Sequence, residues 1–189
     1  MKKNNKEEKE LNKCNCTEEC DCGCQEGKEC TCHDCHCGDD CHCGDEFEID
    51  GVKFKVLSEK NPELANVNPY NNSCLVLKMW DKQKSFIFLG DAGVEQGKKI
   101  LNSEYAADLE CDYMQMAHHG QNGCDRAFYE AVSPEICLWC TPLWLWNNDR
   151  GKGFNTHIWK TVEVRGWMDE IGVKTNLKIC DGTQVLELD

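Results

Sequence analysis

Two groups of residues in this chain could do chemistry. The denser one is a run of eleven cysteines: Cys14, Cys16, Cys20, Cys22, Cys24, Cys30, Cys32, Cys35, Cys37, Cys41 and Cys43, with His33, His36 and His42 interleaved. Nearly all the thiols sit in Cys-x-Cys pairs. Such a pair puts two thiols on the same side of an extended chain, within reach of one ion. Zinc takes four N or S ligands in a tetrahedron, so fourteen donors serve about three separate sites, or more if thiolates bridge two ions. Soft thiolates suit Cu(I) and Cd²⁺ as well, and the spacing does not name the metal. A disulfide scaffold would need an oxidising compartment and pairs of cysteines. Here the count is odd and no export signal precedes the run, so metal binding is the better reading.

The second group is sparse. "FIFLGDAG" ends an apolar run on Gly90-Asp91, and "YMQMAHHGQNG" ends another on His118-His119-Gly120. A carboxylate and two imidazoles brought to one edge of a sheet could share a metal ion. Gly120 lets the backbone turn sharply there. Each signal alone is weak: Gly-Asp after a strand is commonly a turn, and a histidine pair is as often packing as ligand. His157, in "FNTHIWK", could reach the same edge but reads as a surface residue.

Alternating strands and helices must position these groups. "FEIDGVKFKVL" (47–57) reads as a hairpin turning at Asp50-Gly51, followed by a loop over 61–72. "SCLVLKMW" (73–80) and "KSFIFLG" (84–90) read as strands about a turn at Asp81–Gln83. Helix 92–103, strand 111–117, helix 124–132 and strand 135–140 follow. The periodicity predicts a long helix over 156–172, with Ile158, Trp159, Val162 and Ile171 on one face and Gly172 as cap. "KTNLKIC" and "TQVLELD" are expected to add two closing strands. The fold class is α/β with a mixed sheet and helices. Trp139, Trp144 and Trp146 read as core and rim packing.

Composition divides the chain. Before Phe47 the only apolar residues besides cysteine are Met1 and Leu11, and all six tryptophans come later. The expected organisation is a charged, disordered N-terminus over 1–13, a Cys/His-rich segment organised by metal over 14–46, and a folded part over 47–189. The six remaining cysteines (Cys74, Cys111, Cys124, Cys137, Cys140, Cys180) are scattered singly, as buried free thiols usually are. Both parts are acidic, with formal charges of −7 up to residue 46 and −6 beyond it, out of −13. That argues against nucleic acid or an anionic membrane as partner. The N-terminus has no apolar signal region and no stretch is long enough to span a membrane, so the expected location is the reducing cytoplasm.

Residues 14–46 resemble metallothioneins in their dense Cys-x-Cys pairs and lack of aromatic residues. Residues 47–189 resemble the second half of a metallo-β-lactamase-fold hydrolase, in the branch related to the hydrolase domain of DNA-uptake competence proteins. The likeness rests on "NNSCLVLKMWDKQKSFIFLGDAG" followed by "MQMAHHGQNG". It implies half of an αββα sandwich. It also implies Asp91 as a carboxylate bridging two metal ions, and His118 or His119 as a ligand of the second. In a complete site of that kind, two metals activate a water for hydrolysis of esters, amides or phosphodiesters. The family's His-x-His-x-Asp-His motif, which supplies most ligands, has no counterpart here. Half a sandwich also leaves one sheet face apolar and bare, which calls for a partner: a second copy, or a chain supplying the missing half. Two functions are therefore expected to compete: an incomplete metal-dependent hydrolase domain, inactive as this chain alone, fused to a zinc- or copper-binding segment; or a non-catalytic metal-binding and storage protein.

Overall fold

The computed structural model describes residues 43–186. Of the thiol-rich segment only Cys43 is included; the expectations for Cys14 to Cys41, His33, His36 and His42 fall outside the described residues.

Strand β1 (Glu46–Ile49) turns through Asp50-Gly51, both at positive φ, into β2 (Val52–Ser58). That is the backbone an Asp-Gly hairpin turn requires. β3 (Val76–Trp80) and β4 (Ser85–Phe88) follow, joined by a turn in which the Asp81 carboxylate accepts the N–H groups of Gln83 and Lys84. After β4 come helix α1 (Val94–Leu101), β5 (Tyr113–Gln115), α2 (Arg126–Val132), β6 (Ile136–Trp139), a single turn α3 (Leu143–Trp146), α4 (Thr161–Ile171) and β7 (Thr175–Lys178). The seven strands form one sheet in sequence order. β1 to β4 pair antiparallel, and β4 to β7 pair parallel.

This order fixes the layers. A parallel connection between neighbouring strands crosses over right-handed, so successive crossovers in one direction put their helices on the same face. The core confirms it. Val76, Ile87, Leu89, Met114, Met116, Cys137 and Trp139 from the sheet pack with Ile100, Phe128, Tyr129, Val164 and Met168 from the helices. Burying each such aliphatic side chain is worth about 1.5–3 kcal/mol. The result is α/β with one mixed sheet and one helix layer, the arrangement expected of half an αββα sandwich.

The other face carries two cross-strand rows. One runs Phe47, Phe54, Met79, Phe86, Tyr113, Ile136, Thr175, with Phe86 and Tyr113 in its middle buried. The other runs Val56, Leu77, Phe88, Gln115, Leu138, Leu177, with Val56 buried. Rings stack along the first row, Phe47 on Phe54 at 4.9 Å and Phe86 on Tyr113 at 4.4 Å. None of these residues belongs to the cluster under the helices.

Three expectations need correction. The last helix starts at Thr161 rather than 156. The N–H groups of Asn155, Thr156 and His157 are bound to the Asn147 and Asn148 carbonyls, which holds this segment in the preceding loop. Its buried residues are accordingly Thr161, Val164 and Met168, and Ile158 is 82% exposed. Gly172 does cap the helix, at φ 94°. Second, residues 183–186 form no strand. A short 3₁₀ turn, Ile179–Asp181, ends the sheet, and Val185 beyond it is 79% exposed, so the alternation there has nothing to bury against. Third, only Cys111, Cys124 and Cys137 of the single cysteines are buried; Cys74 and Cys180 are half-buried and Cys140 is exposed. Trp144, 43% exposed, packs at the rim, its ring 5.1 Å from that of Trp159. No helix among the described residues is long and apolar enough to cross a membrane.

Candidate functional site

β4 and β5 are parallel neighbours, so their C-terminal ends meet at one edge of the sheet. Asp91 lies just beyond the first end and His118-His119 just beyond the second. In open α/β sheets this is the edge where ligands bind. The two ends are tied together. Gln115 Oε1 accepts the N–H groups of Leu89 at 3.0 Å and Gly90 at 2.8 Å, and the His118 N–H donates to the Gly90 carbonyl at 2.9 Å.

The backbone at the histidines is unusual. His118 (φ 48°), His119 (φ 58°) and Gly120 (φ 74°) are all left-handed. For a residue with a side chain that conformation costs on the order of 1 kcal/mol and persists only where the surroundings impose it. Here the Thr141 hydroxyl donates to the His119 carbonyl at 2.6 Å, from a fully buried position. Gly120 must lack a side chain: a Cβ there would lie 2.0 Å from the Trp139 ring.

The turn presents the two imidazoles differently. His119 Nδ1 lies 2.9 Å from the Cys140 carbonyl, which can only accept, so Nδ1 carries the proton. In the neutral ring this leaves the Nε2 lone pair outward, and Nε2 is 3.6 Å from Asp91 Oδ1. His118 faces elsewhere. Its Nδ1 is 2.9 Å from the Asn71 side-chain amide, and its ring centre is 6.1 Å from that of His119. Asp91 and His119 are thus brought together, while His118 is engaged by Asn71. Among the described residues no three His, Cys, Asp or Glu side chains come close enough to hold one metal ion.

Several residues that frame this edge gave little sign in the sequence. Asn72 and Gln96 are buried amides. Asn72 Oδ1 accepts the Gln96 N–H at 3.2 Å, and Gln96 Nε2 donates to the Cys74 carbonyl at 2.6 Å and to Ser58 Oγ at 2.8 Å. They fasten the loop carrying Asn71 to the start of α1. The signal was the polar run "NNS" ahead of an apolar strand. Cys74 is a further neighbour. Burial pushes its thiol up, against a lowering hydrogen bond from the Asp91 N–H, with the Asp91 carboxylate adding to the rise.

Other candidates lie apart. His157 stacks on Trp159 at 3.8 Å, and Arg150 covers both Trp144 and Trp159 at 5.2 and 5.4 Å. Cys43 is half-buried, its thiol pushed up by burial and then by the Glu59 carboxylate, a poorer metal donor than an open thiolate. An open cleft of about 430 Å³ at the opposite edge of the sheet is lined by Lys78, Lys84, Asp108 and Asp112 among others. Its charges are already used: Lys78 donates to the Asp108 and Glu110 carbonyls, and Asp112 accepts from Ser85.

No family model and no curated protein matches the chain. Among solved structures, a mutant of the beta-hydroxylase CmlA is similar to it, with a TM-score of 0.45 and 10% sequence identity. The likeness covers 71% of this chain and 31% of that one, so the chain spans about a third of the length of the structure it matches.

Proposed function

We propose that the folded part is an incomplete metal-dependent hydrolase domain of the metallo-β-lactamase fold, preceded by a segment, Cys14 to Cys43, that binds zinc or copper. One observation carries the first half of this reading. His119 Nε2 and Asp91 Oδ1 face each other as two lone-pair groups, 3.6 Å apart. Such a pair needs a cation or a proton between them. Two ligands on one tetrahedral zinc, each about 2.1 Å from it, lie roughly 3.4 Å apart. The Cys140 carbonyl on Nδ1 is the kind of outer partner that holds a metal-binding imidazole in one tautomer.

The donor types fit a metal; their number does not. A catalytic zinc takes three protein ligands and an open position. The described residues supply two, so hydrolysis requires donors from outside them, and no step is assigned to this chain alone. His119 is preferred to His118 as ligand because Asn71 already occupies His118. The thiol segment needs a reducing compartment, such as the cytoplasm, to keep its donors.

Native mass spectrometry of the full chain during a zinc titration tests this. Once the thiol segment is filled, one further, weaker zinc is expected, lost in both Asp91→Asn and His119→Gln. Identical binding by wild type and both variants would refute it.

A second reading, a metal-binding and storage protein without catalysis, is favoured by the lack of any three-donor group among the described residues. The zinc-loaded full chain then leaves chromogenic esters and phosphodiesters uncleaved in the presence of any partner, and all metal resides in the thiol segment.

A further inference from the structure

We propose that Asn122 is a site of spontaneous covalent modification. Its side-chain amide is lost by attack of the next backbone nitrogen, which converts the residue to aspartyl and isoaspartyl forms. The inference stands independently of the metal chemistry.

Asn122-Gly123 is the only Asn-Gly pair in the chain. It lies between the turn at His118-His119-Gly120 and α2, outside helix and strand. Asn122 is exposed and Gly123 is buried. Packing requires the glycine: a Cβ there would lie 2.7 Å from Ala117 Cβ and 2.8 Å from the Ala117 carbonyl oxygen. The same lack of a side chain leaves the Gly123 nitrogen unhindered as a nucleophile. The fold thus places beside Asn122 the one residue type that most exposes its amide to attack.

The hydrogen bonds around the amide suit the reaction. Asn122 Oδ1 accepts the Lys160 N–H at 3.3 Å. A donor so placed polarises the amide and stabilises the negative charge that gathers on the oxygen during attack. Among the described residues nothing binds Asn122 Nδ2, the group that leaves, or the Gly123 N–H, the group that attacks. Two other asparagines precede a small residue, serine, and both are held. Asn102 Nδ2 donates to the Lys98 carbonyl at 2.7 Å. Asn72 is fully buried, its Nδ2 bonded to the Val67 carbonyl at 2.6 Å and to Glu95 Oε2 at 2.9 Å.

The Gly123 nitrogen gives up its proton and bonds to Asn122 Cγ. The Cγ–Nδ2 bond breaks and Nδ2 leaves as ammonia, which closes a cyclic imide. Water then opens the ring at either carbonyl. One opening restores the main chain and leaves a carboxylate at position 122. The other routes the main chain through the side chain and lengthens it by a methylene. Water is the only co-reactant, and nothing is oxidised or reduced. The aspartyl product puts a negative charge at the N-terminal end of α4, where the helix dipole and the Lys160 N–H both favour it.

Ageing of the full chain, reduced and zinc-loaded, in neutral buffer at about 37 °C tests this. Trypsin releases residues 100–126, which hold Asn102 and Asn122 in one peptide. Fragment masses, corrected with an unaged sample, are expected to show a gain of one mass unit at Asn122. It should grow at least about tenfold faster than any gain at Asn102. The rate should rise with pH, because the attacking nitrogen must lose its proton. Urea should speed the reaction at Asn122 by no more than about threefold, since the fold leaves the amide free. Asn122→Gln, which would have to close a larger ring, should gain no mass there over the same period. Asn122→Asp should melt at the wild-type temperature or above it. Equal rates at Asn102 and Asn122, or a folded chain that reacts about tenfold more slowly than in urea, would overturn the proposal. A clearly lower melting temperature for Asn122→Asp would overturn the favoured place of the product at α4.

Discussion

The two faces of this sheet are made by the same strands, often by adjacent residues. Ile87, Met114 and Cys137 point into the helix layer and are fully buried. Phe86, Tyr113 and Ile136 sit one position earlier on the same strands and point the other way. Both faces carry long apolar rows. What differs is whether topology delivers a second layer, and the parallel crossovers deliver it to one side only. Hydrophobic composition therefore marks a face as one that needs covering. It does not say what covers it.

Substitutions should separate the faces. The largest effect is expected at Gly120→Ala, where a Cβ would meet the Trp139 ring at 2.0 Å on a backbone at φ 74°. A loss of about 3 kcal/mol or more is expected, read as a fall in the urea midpoint. Ile87→Ala, under the helices, should cost about 2–4 kcal/mol through its lost burial and cavity. Leu138→Ala, on the open face, should cost less than about 1 kcal/mol in dilute solution, because water already reaches its surroundings. Equal losses at Ile87 and Leu138 in dilute monomer would mean that the second face is covered within one chain.

Smaller effects sharpen the comparison at the edges. Thr141→Val leaves the left-handed turn at His119 without its buried hydroxyl donor. It should cost about 1–2 kcal/mol by thermal melting. Asp112 accepts both the N–H and the hydroxyl of Ser85, each at 2.8 Å. Partial burial raises its pKa, but the Ser85 bonds outweigh this and hold the carboxyl below its ordinary 3.8. Its folded-state pKa is depressed, so the stabilisation is present above that ordinary value and is lost as pH falls through the folded one. Asp112→Asn should cost about 1 kcal/mol at pH 7 and nearly nothing below the folded pKa, checked by melts across pH 2–7. The smallest change is expected from chelation. With only Asp91 and His119 as donors, the zinc proposed there is weakly held, so EDTA should lower the melting temperature of the zinc-loaded chain by no more than about 1 °C.

Most elements were readable because their patterns are local. The Asp50-Gly51 turn, the alternation of β4 and the Gly172 cap each depend on a few neighbouring residues. The start of α4 was not, because Thr156 to His157 are held by carbonyls of a loop that closes only in the fold. The candidate site was half readable. Asp91, His118 and His119 stand out as residue types at strand ends. Their division of labour does not, because it depends on Asn71 and Cys140, which are 47 residues before His118 and 21 residues after His119.

The sequence by itself determined the compositional contrast between a thiol-rich stretch poor in apolar residues and a part rich in them, and apolar content sets which stretch can bury itself. It also determined that a carboxylate and two histidines follow neighbouring strands. Tertiary structure alone decided that His119 meets Asp91 while His118 turns to Asn71. It alone decided which apolar rows pack under the helices and which lie on the other face of the sheet. Those outcomes rest on contacts between residues distant along the chain and on the handedness of the crossovers, and neither is encoded in local spacing.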